Sequence, residues 1–122
     1  MFKFVIAALA IAATASANCA YSTEGHGFEM YIYGETDCGT SNHWEEFYGA
    51  GDSISCQCFN IASTLNDKVK SFVFTASTLH SINIFKDANC GGALLGHSVG
   101  NWIDSSVSSA GQAMSSFNVC LY

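Results

Sequence analysis

The sequence predicts an all-β sandwich assembled from a duplicated unit, and three observations carry that prediction. The first is a repeat. Ile32-Tyr33-Gly34-Glu35-Thr36-Asp37-Cys38-Gly39 returns as Ile84-Phe85-Lys86-Asp87-Ala88-Asn89-Cys90-Gly91, keeping an aliphatic, an aromatic, an acidic, an acid-or-amide, a Cys and a Gly position. Each copy is followed by a Ser-Phe strand, Ser71-Phe72-Val73-Phe74 and Ser116-Phe117-Asn118-Val119. The second observation is a series of short aromatic and β-branched runs broken by Gly, Asn and Asp, with no sustained helical period. The third is six cysteines in a small chain, the composition of a disulfide-stapled domain.

The N-terminus reads as a targeting segment. Lys3 supplies the positive end, Phe4 to Ala13 the apolar run, and Ala15-Ser16-Ala17 a small-residue cleavage site. The run is shorter than the ~20 apolar residues that span a bilayer. Residues 1–17 are therefore expected to be a secretory signal peptide, and residues 18–122 a single secreted, extracellular domain. A chain of about 100 residues holds one core and not two.

From residue 18 on, the strands are expected in order. Phe28 to Tyr33 opens the first unit, His43 to Tyr48 follows, and Gly49-Ala50-Gly51 ends it. Ser53 to Ile61 carries Cys56-Gln57-Cys58, Ser63 to Asp67 is a polar loop, and Val69 to Thr75 closes the unit. The second unit is tighter: Ser81 to Phe85, Ala93 to Val99, Trp102 to Val107 and Met114 to Cys120. Ile82 and Ile84 alternate with Ser81, Asn83 and Phe85, as a half-buried strand requires. The chain has no proline, so its turns depend on 11 glycines and on Asn and Asp.

Composition narrows the partners. The formal charge is −6, and loss of Lys3 with the leader makes it one unit more negative. The sequence contains no Arg. Nucleic acid is excluded as a partner, because phosphates need Lys and Arg to release counterions. Attraction to anionic membrane is excluded on the same ground, and no membrane insertion is expected. The partner class left is an extracellular protein or glycan, with the domain itself a monomer.

Cys19, Cys38, Cys56, Cys58, Cys90 and Cys120 all fall after the leader and read as three disulfides, with ~15 pairings open. Cys38 and Cys90 occupy equivalent turns, and Cys56 and Cys58 share one strand face, so that both bridge to neighbours. Cys19 and Cys120 lie near the two ends. A bridge between them, closing a loop of about 100 residues, gives ~4.7 kcal/mol in the loop-entropy model, and this pairing is expected.

The aromatic strand end, the acidic Cys-Gly turn and a later acid/amide pair followed by serine together resemble the βγ-crystallin Greek key motif. The resemblance covers roughly 28–120 and implies two tandem Greek keys, about 28–76 and 81–121, forming one βγ-crystallin-like sandwich. The chain also resembles the small secreted, cysteine-rich branch that includes killer-toxin-like and fungal secreted proteins. Tyr33 and Phe85 match the aromatic position, and Gly92 the turn glycine of the second unit; the first unit has Thr40 there. Cys38 and Cys90 stand where the family has a second aromatic. The resemblance also implies a calcium motif, which transfers in part: Asn66, Asp67 and Ser71 match, but Lys70 replaces a Ser or Thr. The second unit keeps Ser115 and Ser116 and lacks both acid or amide positions. No cofactor is expected beyond calcium in the millimolar range of extracellular modules. The plainer reading of Asn66-Asp67 is an Asx turn.

Signals for catalysis are poor, and the expectation is a non-enzyme. His26, His43, His80 and His97 lie in no His-Glu-x-x-His pattern, and there is no Gly-x-Ser-x-Gly. Glu45 and Glu46 follow one another on a strand and so face opposite sides, which rules out a paired-carboxylate cleft. Trp44 and Trp102 are candidates for a surface that stacks on sugars, although core burial is the commoner fate of tryptophan. Three functional expectations result. The leading one, implied by the resemblance, is a secreted antagonist or host-interaction factor. The others are a calcium-tuned structural or matrix domain and a carbohydrate-binding module.

Overall fold

The computed structural model describes residues 18–22, 27–49, 56–77 and 79–121. The leader therefore lies outside the described residues. Eight strands form in chain order: β1 (Phe28–Tyr33), β2 (Trp44–Gly49), β3 (Gln57–Asn60), β4 (Ser71–Ala76), β5 (His80–Asp87), β6 (Gly91–Val99), β7 (Trp102–Asp104) and β8 (Ser116–Leu121). Two 3-10 turns, Thr36–Cys38 and Gly111–Ala113, interrupt them. The result is the expected all-β sandwich.

The strands divide into two antiparallel sheets of identical plan. One runs β2-β1-β4-β7 and the other β6-β5-β8-β3. A pseudo-twofold exchanges β1 with β5, β2 with β6, β3 with β7 and β4 with β8. Each unit thus lends its third strand to the other unit's sheet: β3 pairs with β8, and β7 with β4. Two Greek keys interlocked in this way share one core.

Alternation builds that core. Met30 faces Phe74 and Ile32 faces Phe72 across β1 and β4, while Ile82 faces Val119 and Ile84 faces Phe117 across β5 and β8. These side chains are at most 4% exposed, and each contributes ~1.5–3 kcal/mol relative to exposure. Leu65, Val69, Val107 and Met114 extend the buried cluster from the loops. One end is aromatic: Phe59 stacks on Phe117 at 5.1 Å, and Phe47 meets Phe117 edge-on at 5.0 Å.

The repeated turns are held in the same way in both units. Asp37, Cys38, Asn89 and Cys90 all adopt positive φ, between 56° and 59°, a conformation that costs an L-residue energy and needs support. The support is a buried serine. The Ser71 hydroxyl donates to the Glu35 carbonyl (2.5 Å) and accepts from the Cys38 N–H (2.9 Å). The Ser116 hydroxyl donates to the Asp87 carbonyl (2.5 Å) and accepts from the Cys90 N–H (2.9 Å). Both serines are 0% exposed.

The disulfides are Cys19–Cys38, Cys56–Cys120 and Cys58–Cys90, which corrects the expected Cys19–Cys120 bridge. Register explains the outcome. Gln57 pairs with Val119 and Cys58 with Asn118, so one residue further along Cys56 stands opposite Cys120, with Cα atoms 4.1 Å apart. Cys58 and Cys90 tie β3 to the turn of the second unit, reinforced by Asn60, which exchanges two hydrogen bonds with Asn89 (2.7 and 3.0 Å). On β7, the strand lent to the first unit's sheet, the position equivalent to Cys58 is Ile103, so Cys38 meets no cysteine there. It takes Cys19 from the N-terminal segment instead.

Ser71→Ala and Ser116→Ala each remove a hydroxyl that satisfies one buried N–H and one carbonyl. Each is expected to destabilise the oxidised domain by ~1–3 kcal/mol, read by denaturant unfolding with an unchanged m-value. An exposed control, Ser106→Ala, should stay within ~0.5 kcal/mol.

Candidate functional site

The outer face of the β1–β2 hairpin has an unusual composition. The register pairs Tyr33 with Trp44, Tyr31 with Glu46 and Glu29 with Tyr48. These six outward positions hold four aromatic rings and two carboxylates, with no lysine and no aliphatic side chain. Trp44 is 49% and Tyr48 55% exposed. Trp44 and Tyr31 lie with ring centroids 6.4 Å apart at 31°. Phe47, between Trp44 and Tyr48 in sequence, points the other way into the core.

A small polar network fixes this face. The Tyr31 hydroxyl lies 2.8 Å from Glu46 Oε2 and 2.9 Å from Glu29 Oε2. Glu29 is buried, and its other oxygen accepts from the Ser22 hydroxyl at 2.6 Å. Ser22 N–H in turn donates to the Thr75 hydroxyl, so the N-terminal segment held by Cys19–Cys38 braces the face from one side. The Tyr31 phenol is pushed well above its ordinary value. The Glu46 hydrogen bond contributes most, followed by desolvation and the Glu29 bond, because each of these favours the neutral hydroxyl over a phenolate.

The second region comprises two pseudo-symmetric recesses beside the repeated turns. One, about 380 Å³, is lined by Asp67, Asp87, Lys86, Gln112 and Ser115, two carboxylates against one ammonium. The other, about 350 Å³, is lined by Asn42, His43, Thr64, Lys68 and Lys70. The first is acidic and the second basic. Glu35, the counterpart of Asp87, is tied into its own hairpin by the Ser41 hydroxyl and the Asn42 N–H. Those bonds, the Ser41 hydroxyl first, hold its carboxyl below the usual range. Asp87 instead lies over Gly92, whose φ of +74° leaves room; a Cβ there would come within 2.4 Å of the carboxylate.

The residues singled out from sequence are therefore distributed over several places. Asp67 lines the acidic recess with a left-handed φ of 60°. Asn66 Oδ1 is buried with no hydrogen-bond partner. Ser71 is not in the recess, because its hydroxyl is engaged in the turn lock. Asp87 and Ser115, which meet Asp67 from the other unit, were not grouped with it by the linear motif. Trp44 is outward and exposed, which corrects the expectation of burial. Trp102 is half-buried, edge-on to Phe72 at 4.8 Å and 90°, and belongs to the core margin. Glu45 and Glu46 do face opposite sides: Glu45 accepts from the Ala62 N–H on the loop side, and Glu46 reaches Tyr31. His43 lines the basic recess and His97 bonds Asn83 on the other sheet, while His26 lies outside the described residues.

Calcium takes six to eight oxygens, with carboxylates dominating affinity. The acidic recess offers Asp67, Asp87 and Ser115 as donors; the basic one, with Lys68 and Lys70, does not fit a cation. Among the described residues, no group of three or more His, Cys, Asp or Glu side chains is gathered tightly enough to hold a metal by itself.

No family model matches the sequence, and no curated protein matches it. Solved structures do match its fold. The structure solved for the evolution of the eye lens βγ-crystallin domain fold superposes with a TM-score of 0.53 at 18% identity, covering 84% of this chain and 95% of that one. The Ca²⁺-bound βγ-crystallin domain of Abundant Perithecial Protein from Neurospora crassa gives 0.51 at 16% identity, covering 82% and 96%. A βγ-crystallin domain from Flavobacterium johnsoniae is 20% identical over 75% and 93%, with a TM-score of 0.47. The chain has the βγ-crystallin fold.

Alkaline titration tests the Tyr31 network. Because the folded phenol is raised, its stabilising effect is complete below the unfolded value near ~10 and is lost as pH climbs through the folded one. Burial, and then the Glu46 charge, raise Tyr33 as well, so ultraviolet titration is expected to show Tyr31 and Tyr33 ionising after the exposed tyrosines, and Glu46→Gln to bring the late steps down.

Proposed function

We propose that this chain is a secreted, non-catalytic recognition domain acting outside the cell as an antagonist or host-interaction factor. The observation that carries the reading is the outer face of β1–β2. Solvated strand faces do not ordinarily concentrate four rings on six positions, and exposed aromatic surface of this kind marks interaction sites. The anchoring residues are Trp44 and Tyr48, with Tyr31 and Glu46 between them. Aromatic anchors bury large areas at low conformational cost, and the exposed Glu46 carboxylate adds an acidic group for the partner. The three disulfides support the extracellular setting, since such bonds persist in oxidising compartments.

The test is direct. Labelled oxidised protein is applied to a panel of microbial and host cells, and surface binding and growth are both measured. Saturable binding to at least one cell type is expected, and the Trp44→Ala/Tyr48→Ala pair should weaken it more than tenfold without changing thermal stability. A panel left unbound and unaffected refutes the reading.

A second reading has its own observation. Asp67, Asp87 and Ser115 face one recess while Asn66 Oδ1 is buried without a partner, an arrangement suited to a calcium-tuned structural or matrix domain. At 100 Kd a ligand adds ~2.7 kcal/mol, a rise of more than ~10 °C for a domain of this size at roughly 4–8 °C per kcal/mol. Melting in chelator and in ~10 mM calcium, roughly 10- to 100-fold above the affinities of extracellular calcium modules, distinguishes the cases. If this reading holds, calcium raises Tm and Asp67→Ala abolishes the rise; an unchanged Tm removes it.

A further inference from the structure

The pseudo-twofold makes one departure inside the sandwich conspicuous. On β3, the residue facing Phe117 is Phe59, and the two rings stack. On β7, the residue facing Phe72 at the equivalent position is Asp104. Phe72 is buried, and directly opposed residues in an antiparallel pair project to the same side. The Asp104 side chain therefore stands on the inner side of the sheet, where its counterpart fills the core. What remains is a cavity of about 130 Å³, walled by Phe72, Ile84, Leu95, Trp102, Val107 and Met114 with Asp104 among its lining.

We propose that this cavity is a binding site for a small organic ammonium compound, a protonated amine carried on one ring or a short alkyl body. Size sets the body, because an apolar cavity of ~150 Å³ accommodates benzene. The chemistry of the lining sets the head group. Among the described residues, the Asp104 carboxylate takes only the Ser106 backbone N–H, at 3.1 Å. Among the described residues, neither Lys68, Lys70 nor Lys86 lines the cavity, so no described lysine serves as counter-ion to this carboxylate. The Trp102 ring adds an electron-rich wall that favours a cation further. An inward charge on an edge strand also discourages strand-to-strand aggregation, but that role requires neither the cavity nor the tryptophan. The site is separate from the aromatic face of β1–β2, and its test does not depend on that reading.

The probe is benzylamine, with benzyl alcohol as its neutral counterpart. Both are titrated into the oxidised protein while methyl resonances of Leu95, Val107 and Met114 and the fluorescence of Trp102 in a Trp44→Phe background are followed. Benzylamine is expected to give saturable shifts in all three methyl sets, with benzyl alcohol at least tenfold weaker. The near-isosteric Asp104→Asn variant should reduce benzylamine to the affinity of the alcohol. Shifts that do not saturate, equal affinity of amine and alcohol for the unmodified protein, or an Asn variant that binds the amine as before would each overturn the proposal. The comparison of the two probes on the unmodified chain holds even if the variant folds poorly.

Discussion

The fold depends on a buried hydroxyl used twice. Each repeated turn places two consecutive non-glycine residues in the left-handed region, and the backbone groups so exposed need partners inside the protein. Ser71 and Ser116 supply them from the first position of the strands that close each unit. Local turn conformation is thereby coupled to strand placement: the turn holds its shape only when the closing strand is seated. A disulfide then fastens each turn from a different side, Cys38 to the N-terminal segment and Cys90 to the lent strand β3.

Much of this was legible in the residues, and the failures have identifiable causes. The repeat, the strand order and the closing Ser-Phe strands are local patterns, and they survive folding intact. Disulfide pairing did not follow from chain ends, because Cys56 meets Cys120 only through the register of a strand lent to the opposite sheet. The orientation of β2 was ambiguous since both of its faces carry rings; Phe47 turns inward because Phe59 and Phe117 await it, and Trp44 is left outside. The linear calcium motif gathered Asn66, Asp67 and Ser71, whereas space gathers Asp67 with Asp87 and Ser115. A site that spans a pseudo-twofold has half of its donors in the other repeat, where sequence spacing does not connect them.

Chemistry on a duplicated frame lies where the two copies differ. Lys68 and Lys70 make one recess basic, while its twin sets Asp67 and Asp87 against the single Lys86. The tethering of Glu35 by Ser41 and Asn42, against an Asp87 lying over Gly92, widens that contrast. Ile103 against Cys58 shifts a covalent link to the N-terminal segment, which in turn braces Glu29 and Tyr31 through Ser22. Asp104 against Phe59 leaves one end of the sandwich incompletely filled while the other is packed with rings. The backbone plan is nearly indifferent to these exchanges, because the serine locks and the central strand pairs are retained in both copies.

The exchange of third strands bears on how the chain matures if it emerges N-terminus first. Cys19 and Cys38 belong to the first half and can join as soon as both are exposed to oxidant. Cys56 and Cys58 appear next, but their partners, Cys90 and Cys120, arrive only with the second half. During that interval two thiols one residue apart wait with no native mate, and β3 has no sheet to enter. Two of the three bridges thus wait for the second half of the chain, and β8 is the strand that brings Cys120 to the framework.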